Sequence, residues 1–376
     1  MKIVIIGPAY PYRGGIALFT ERLAQQFIEE KHEVEIITFT LQYPSFLFPG
    51  KTQFSDSDSS NDLTISRKIN SINPFSWIKV GKQLKQHQPD MVIFNYWMPF
   101  MAPCFGTIAS ISRKNKKTKC IALAHNIIPH EKRIGDRCLT KFFTSKMDAF
   151  LVLSQRVFDD LNNFAPFKPK KISPHPLYDN FGDEKSKSNA QQALNLASNF
   201  KYILFFGIIR KYKGLDILLE AFADKRIDKT NIKLIIAGEF YEDEQPYLDL
   251  MKKLNIQEHI ILINEFITDN QVANYFCAVD IVAQPYKNAT QSGVTQIAYH
   301  FNKPMLVTDV GGLKEMVSHQ KVGYVVEPNS NAVASALVDF FNNHRENDFI
   351  EGVKQEKEKY NWNKLTEAIY NLKNSL

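Results

Sequence analysis

Short runs of consecutive apolar residues alternate along the chain with longer stretches in which apolar residues recur every three or four positions. The runs KIVIIG (2–7), HEVEIITF (32–39), DMVIFNYW (90–97), CIALAHN (120–126) and AFLVLS (149–154) have the length and β-branched content of strands. Their hydrophobicity is continuous, which predicts a parallel sheet covered on both faces. Between them, IALFTERLAQQFIEE (16–30) carries its apolar residues at helical spacing. The alternation restarts with YILFFG (202–207), IKLIIAG (232–238), IILIN (260–264), DIVAQPY (280–286) and KPMLVTDVGG (303–312). In between, residues 179–199 are polar and rich in Ser, Asn and Lys, predicting a linker followed by a lead-in helix. The tail from residue 356 reads as an amphipathic helix bearing Trp362 and Tyr370.

The pattern predicts an α/β protein of two doubly wound, Rossmann-like domains in series, at 1–180 and 181–358, closed by a C-terminal helix at 359–376. At 376 residues the chain exceeds what one core comfortably fills, which agrees with two domains. Such a pair leaves a cleft between the carboxyl ends of two parallel sheets, where α/β proteins bind ligands.

Hydrophobic content of 44% with 23% charged residues excludes a disordered or fibrous chain. The net charge of +6 fits an anionic ligand, an acidic membrane surface or plain solubility. A basic segment interleaved with an aromatic platform is not seen, so nucleic acid is not expected as a partner. The cysteines (Cys104, Cys120, Cys138, Cys277) are scattered without metal spacing, pointing to a reducing compartment and no metal. The first apolar run is four residues ending in Gly-Pro, a strand rather than a signal peptide, and no run approaches bilayer length. The expected location is cytoplasmic, with peripheral contact on the inner face of the membrane as an addition. The apolar loop 41–50 and the lysines at 114–119 are the segments suited to such contact, although a half-buried loop and a solvated helix end are the better explanations of them.

Candidate chemistry collects after the strands. Gly14 and Gly15 stand at a helix start, where backbone N–H groups can approach an anion or simply meet the needs of a tight turn. His125 closes the fourth run, placed to hydrogen-bond a sugar, or else to be an ordinary buried histidine. In FFGIIRKYKGLDILLEAF (205–222), Arg210 and Lys213 follow a strand and precede a helix, an arrangement suited to a diphosphate. Gly238 and Glu239 end the next strand, while Phe266 and Ile267 follow the one after, where a base can pack. Thr290, Gln291 and Ser292 precede Gly293 at another helix start, where capping and phosphate binding use the same donors.

Taken together, these pieces resemble the retaining glycosyltransferases of family 4 (glycosyl transferases group 1), whose two-Rossmann-domain fold is called GT-B. The resemblance spans nearly the whole chain, through RGG (13–15), AHN (124–126), RKYKG (210–214), AGEF (237–240), NEFI (264–267), residues 292–317 and the tryptophan-bearing last helix. It implies an N-terminal acceptor domain, a C-terminal donor domain and a last helix that crosses back. It also implies transfer of a sugar from a UDP- or GDP-linked donor to a glycan or lipid-linked acceptor, as in surface polysaccharide biosynthesis, with retained configuration. His125, Arg210 and Lys213 would be catalytic, the two cations neutralising the diphosphate and His125 meeting the donor sugar. Gly14, Gly15, Gly238, Glu239, Phe266, Ile267, Thr290, Gln291, Ser292, Gly293 and Gln296 would line the donor site. No metal and no cofactor would be needed.

Two departures stand out. The family's paired glutamates fall at Ala289 and Ile297, leaving Thr290, Gln291 and Gln296 as the nearest polar residues. Its usual arginine falls at Ile208, whereas this chain has Arg210. The alternatives are therefore a GT-B nucleotide-sugar epimerase, or a catalytically weak nucleotide-sugar binding subunit.

Overall fold

The computed structural model describes residues 1–44, 52–55, 63–129, 133–289 and 292–376, which form two compact units, Met1–Pro176 with Asn361–Leu376 and Leu177–Tyr360. In the first unit, β1 (Lys2–Ile6), β2 (Glu33–Leu41), β3 (Ile65–Asn70), β4 (Met91–Tyr96), β5 (Lys119–Ala124), β6 (Ala149–Val152) and β7 (Lys170–Ile172) build one sheet. Its order is β3-β2-β1-β4-β5-β6-β7, with every neighbouring pair parallel. The helices are α1 (Gly15–Glu29), α2 (Pro74–His87), α3 (Ala102–Ser112), α4 (Asp136–Lys146) and α5 (Gln155–Asn162).

Local chemistry starts these helices where the chain needs them. Asn73 caps α2 by accepting from the Phe75 N–H, with Pro74 at the first helical position. Ser154 caps α5 by accepting from the Val157 N–H. α3 packs between α2 and α4. Gly81 leaves room for Ile111 and Gly106 for the Phe142 ring, so the three helices form a tight layer.

The second unit opens with α6 (Lys187–Ala193) and continues β8 (Lys201–Phe206), α7 (Leu215–Phe222), β9 (Ile232–Ala237), α8 (Gln245–Lys253), β10 (Ile260–Ile263) and α9 (Asp269–Ala278). Then come β11 (Ile281–Gln284), α10 (Gly293–His300), β12 (Met305–Thr308), α11 (Leu313–Met316), β13 (Gly323–Val326), α12 (Ser330–Asn342) and α13 (Glu346–Glu356). The six-stranded parallel sheet has the order β10-β9-β8-β11-β12-β13. The buried Asp280 carboxylate, just before β11, accepts from the Tyr202 N–H at 2.8 Å and pairs with Lys187 at 2.6 Å and Lys201 at 3.1 Å. That cluster ties α6, the former linker region, to the centre of the sheet.

The last helix, α14 (Trp362–Asn374), belongs to the first unit. Gln26 donates to the Asn363 side chain at 2.5 Å, Thr366 donates to Glu30 at 2.7 Å, and Trp362 stacks at a tilt on Phe19.

Candidate functional site

In each sheet the strand order reverses at one place, between β1 and β4 and between β8 and β11. Such switch points leave a crevice beyond the carboxyl ends of the two strands. In the second unit, the loop after β8 carries Arg210 and Lys213, and the loop after β11 leads to Ser292 and Gly293. The fold therefore brings these four residues to one end of one sheet.

The β8 loop is pinned on both sides. Gly207 donates its N–H to Ala237 O at 2.9 Å and Ile209 to Glu239 O at 2.9 Å, which binds the loop to the end of β9. Gly238, at φ 156°, lies so close to Gly207 that a Cβ would sit 2.0 Å from the Gly207 carbonyl oxygen. On the other side the Lys287 N–H donates to Tyr212 O at 2.7 Å, and the Lys287 ammonium pairs with Asp216 at 2.5 Å.

Lys213 ends a one-turn 3₁₀ segment and folds back under the loop. Its side chain is buried, and Nζ lies 5.5 Å from the centre of the Tyr286 ring and 3.2 Å from where a Gly207 Cβ would be. Burial first, and the positive charge of Arg210 second, push its pKa down to about 8. Arg210 itself lies over the Tyr241 ring at 5.6 Å. A buried ammonium beside a guanidinium is an arrangement that a bound anion would stabilise.

Around this pair, the Tyr286 hydroxyl is within hydrogen-bond distance of Ser292 Oγ, at 3.3 Å, and Thr308 donates to Tyr286 O at 2.5 Å. Ser292 occupies the N-cap position of α10 but makes no side-chain cap bond, so capping does not account for it. Gly293 is explained by packing: a Cβ there would lie 2.9 Å from the Tyr178 ring, so glycine admits the tyrosine. Gln296 is fully buried on α10, and neither atom of its amide has a hydrogen-bond partner among the described residues. One residue earlier, Thr295 donates to Gln284 Oε1 at 3.1 Å. Ala289 and Ile297, where the family pattern has glutamates, are buried apolar side chains.

Glu239 is buried at the end of β9, beside the β8 loop. Phe266 and Ile267 follow β10 at the sheet edge, the first half-buried and the second buried. Thr290 and Gln291 lie outside the described residues, as do residues 45–50 of the apolar loop.

The remaining expected residues belong to the first unit. Gly14, at φ 110°, holds the N-cap position of α1, and Gly15 is the first helical residue. His125 directly follows β5, donating its backbone N–H to Tyr96 O at 2.8 Å. Its ring and that of His175 both meet Phe19 edge-on, at 5.0 and 5.1 Å. Burial, reinforced by its neighbour His175, pushes His125 down to about 3, so it is neutral near pH 7 and any contact it makes is an uncharged one.

Sequence reasoning passed over Tyr178, Tyr286, Gln284 and His175. Tyr286 and Gln284 were visible as polar residues at the end of an apolar run, DIVAQPY, and that position is the signal that could have found them. Tyr178 and His175 lie in irregular backbone and carry no local signal.

The described residues include no group of three or more metal-ligating side chains, and no described helix is long and apolar enough to cross a membrane. The profile described as Glycosyltransferase Family 4 matches residues 13–176, and that described as Glycosyl transferases group 1 matches residues 186–356. An uncharacterized glycosyltransferase of Methanocaldococcus jannaschii is 22% identical, covering 99% of this chain and 97% of its own. The O-antigen chain mannosyltransferase C of Escherichia coli is 25% identical over 72% of this chain and 71% of its own. Among solved structures, Anabaena HepE in complex with UDP and glucose superposes with a TM-score of 0.76 at 16% identity, covering 100% of both chains. The two parallel sheets with interleaved helices are the GT-B fold, and the chain belongs to the family 4, group 1 glycosyltransferases.

Proposed function

We propose that the protein is a retaining hexosyltransferase that moves a sugar from a UDP- or GDP-linked donor to a glycan or lipid-linked acceptor in surface polysaccharide biosynthesis, at the cytoplasmic side of the membrane. The observation that carries this reading is Lys213, an ammonium buried beside Arg210 at the switch point of the second sheet, its pKa lowered by burial and by the Arg210 charge. A departing nucleoside diphosphate develops negative charge on the phosphate that leaves the sugar. Two fixed cations there stabilise that charge more in the transition state than in the bound donor. No metal is then required for the leaving group. Ser292 and Gln296 serve as neutral hydrogen-bonding groups toward the donor, and Phe266 and Ile267 form the apolar wall for the base. His125, Gly14 and Gly15 keep the donor-sugar roles that the resemblance implies, His125 as a neutral partner. Relatives named for O-antigen mannosyl transfer and a structural neighbour holding UDP and glucose support the donor and acceptor classes.

A second reading, a catalytically weak binding subunit, is favoured by one observation: the positions of the paired glutamates are apolar and buried. Turnover separates the two. With excess chelator present, the protein is incubated with UDP- and GDP-sugars and a lipid-linked oligosaccharide pool. Release of the nucleoside diphosphate with a new glycosidic bond of the donor's anomeric configuration, read by NMR, supports transfer. Tight donor binding without release supports the subunit, and an epimerised donor would point to the epimerase.

A further inference from the structure

The turn that carries Lys213 meets the loop after β11 at several successive residues. The Tyr212 ring stands edge-on to Tyr286 at 6.2 Å, and Tyr212 O accepts the Lys287 N–H at 2.7 Å. Gly214, at φ 67°, packs so closely that a Cβ would lie 2.0 Å from the Pro285 carbonyl oxygen. Beyond it, Lys287 Nζ pairs with Asp216 Oδ2 at 2.5 Å. Lys287 therefore holds the turn on both sides of Lys213, through its N–H before it and its ammonium after it.

Exposed ion pairs add little to stability and rarely need an explanation. This pair differs from an ordinary one. With 42% and 38% of their side chains exposed, Lys287 and Asp216 face water on one side. Yet Asp216 Oδ1 is buried and has no hydrogen-bond partner among the described residues, a cost that a pair free in solvent avoids. Asp216 also stands in the first turn of α7, where the helix N-terminus favours its charge. The carboxylate is thus fixed, and it fixes the Lys287 ammonium. Within the two segments that the pair joins, Lys213 and Tyr286 are buried. Arg210 on its own loop and Tyr286 on the loop after β11 face the Lys213 ammonium, with Glu239 at the end of β9 beside the same loop.

We propose, on the transfer reading, that Lys287 and Asp216 are positioning residues: they clamp the Lys213 turn against the loop after β11 and keep water from its ammonium. With the clamp closed, the ammonium stays where the leaving diphosphate develops charge. With the clamp open, the turn admits water, and stabilisation is lost from the transition state more than from the bound donor. Neither residue touches the donor on this account.

Lysine 13C NMR of the full chain, with the Lys213 signal assigned from Lys213→Met, reads the ammonium without needing turnover. Wild-type Lys213 should titrate near pH 8. Lys287→Met and Asp216→Asn should both raise that midpoint toward the ordinary 10.5, because both let water in. A purely electrostatic influence has opposite signs, since losing a cation raises a lysine pKa and losing an anion lowers it. The double variant should match each single one, as two halves of one clamp must. In a transfer assay, kcat should fall about tenfold in each variant with KM little changed, and Lys287→Arg should restore most of it. The melting temperature should fall by no more than about 4 °C, so the loss is not one of folding. A wild-type midpoint already near 10.5, opposite shifts in the two variants, or an unmoved midpoint overturns the clamp. Full activity in Lys287→Met beside loss in Lys213→Met overturns the clamp alone, whereas full activity in Lys213→Met overturns the transfer reading.

Discussion

On the proposed transfer reading, Lys213 would serve function against stability. Its folded pKa of about 8 lies below the ordinary value of 10.5, so near pH 7 the folded chain holds a proton at a cost of about 3 kcal/mol relative to the unfolded chain. A methionine of similar length fills the same space without the charge. Lys213→Met should therefore raise the melting temperature while lowering kcat/KM for transfer about a hundred- to a thousandfold. A stability measurement by calorimetry beside a transfer assay checks both signs. A variant that is less stable, or that keeps full activity, would remove Lys213 from the diphosphate site. The position of Lys213 was legible in the sequence, since a lysine three residues after an arginine and before a helix follows an apolar run. Its burial was not legible, because it depends on the Tyr286 ring contributed by another strand's loop. Gly293 adds to this: as a sequence letter it suggested phosphate access, and the structure also has it making room for the Tyr178 ring, more than a hundred residues away.

Among the elements, the central strands were the readable ones. All six residues of β4 are buried, as are the last four of β1, and such strands are written as unbroken apolar runs. The strands that escaped notice, β3, β7 and β13, all lie at sheet edges. ISRKIN and KKI are polar because one side of an edge strand faces water, which removes the continuous signal. At the junction of β5, α1 and the segment after β7, a pH dependence is built into the packing. His125 is pushed down to about 3 and His175 to about 4, both by burial and both against Phe19. The unfolded chain binds these protons near pH 6.5 and the folded chain does not. Stability contributed by the pair is therefore fully present above about pH 6.5 and declines as pH falls toward the folded values. Denaturant titrations at pH 7.0 and 5.5 should differ by about 2 kcal/mol on this account, and replacing both histidines with neutral residues should flatten the difference. An unchanged slope in that variant would assign the acid sensitivity to other groups.

At the scale of the whole chain, the α/β class and the two-part division were legible because they depend on periodicity and length. The joints fall after Pro176 and Tyr360, against 180 and 358 read from composition, since irregular segments carry the weakest pattern. The candidate site of the second unit was legible as a set of loop residues and not as a geometry, because the approach of the β8 and β11 loops is a tertiary contact. The central claim, that a nucleoside diphosphate group is held by Arg210 and Lys213 without a metal, is tested most directly by the melting temperature in excess chelator with UDP, GDP and their sugars. The account predicts that one base series stabilises the wild-type chain by about 3 kcal/mol at a hundredfold excess over Kd, and that Lys213→Met and Arg210→Ala lose most of that shift. A shift that appears only when divalent metal is added, or one of equal size in both variants, would contradict it.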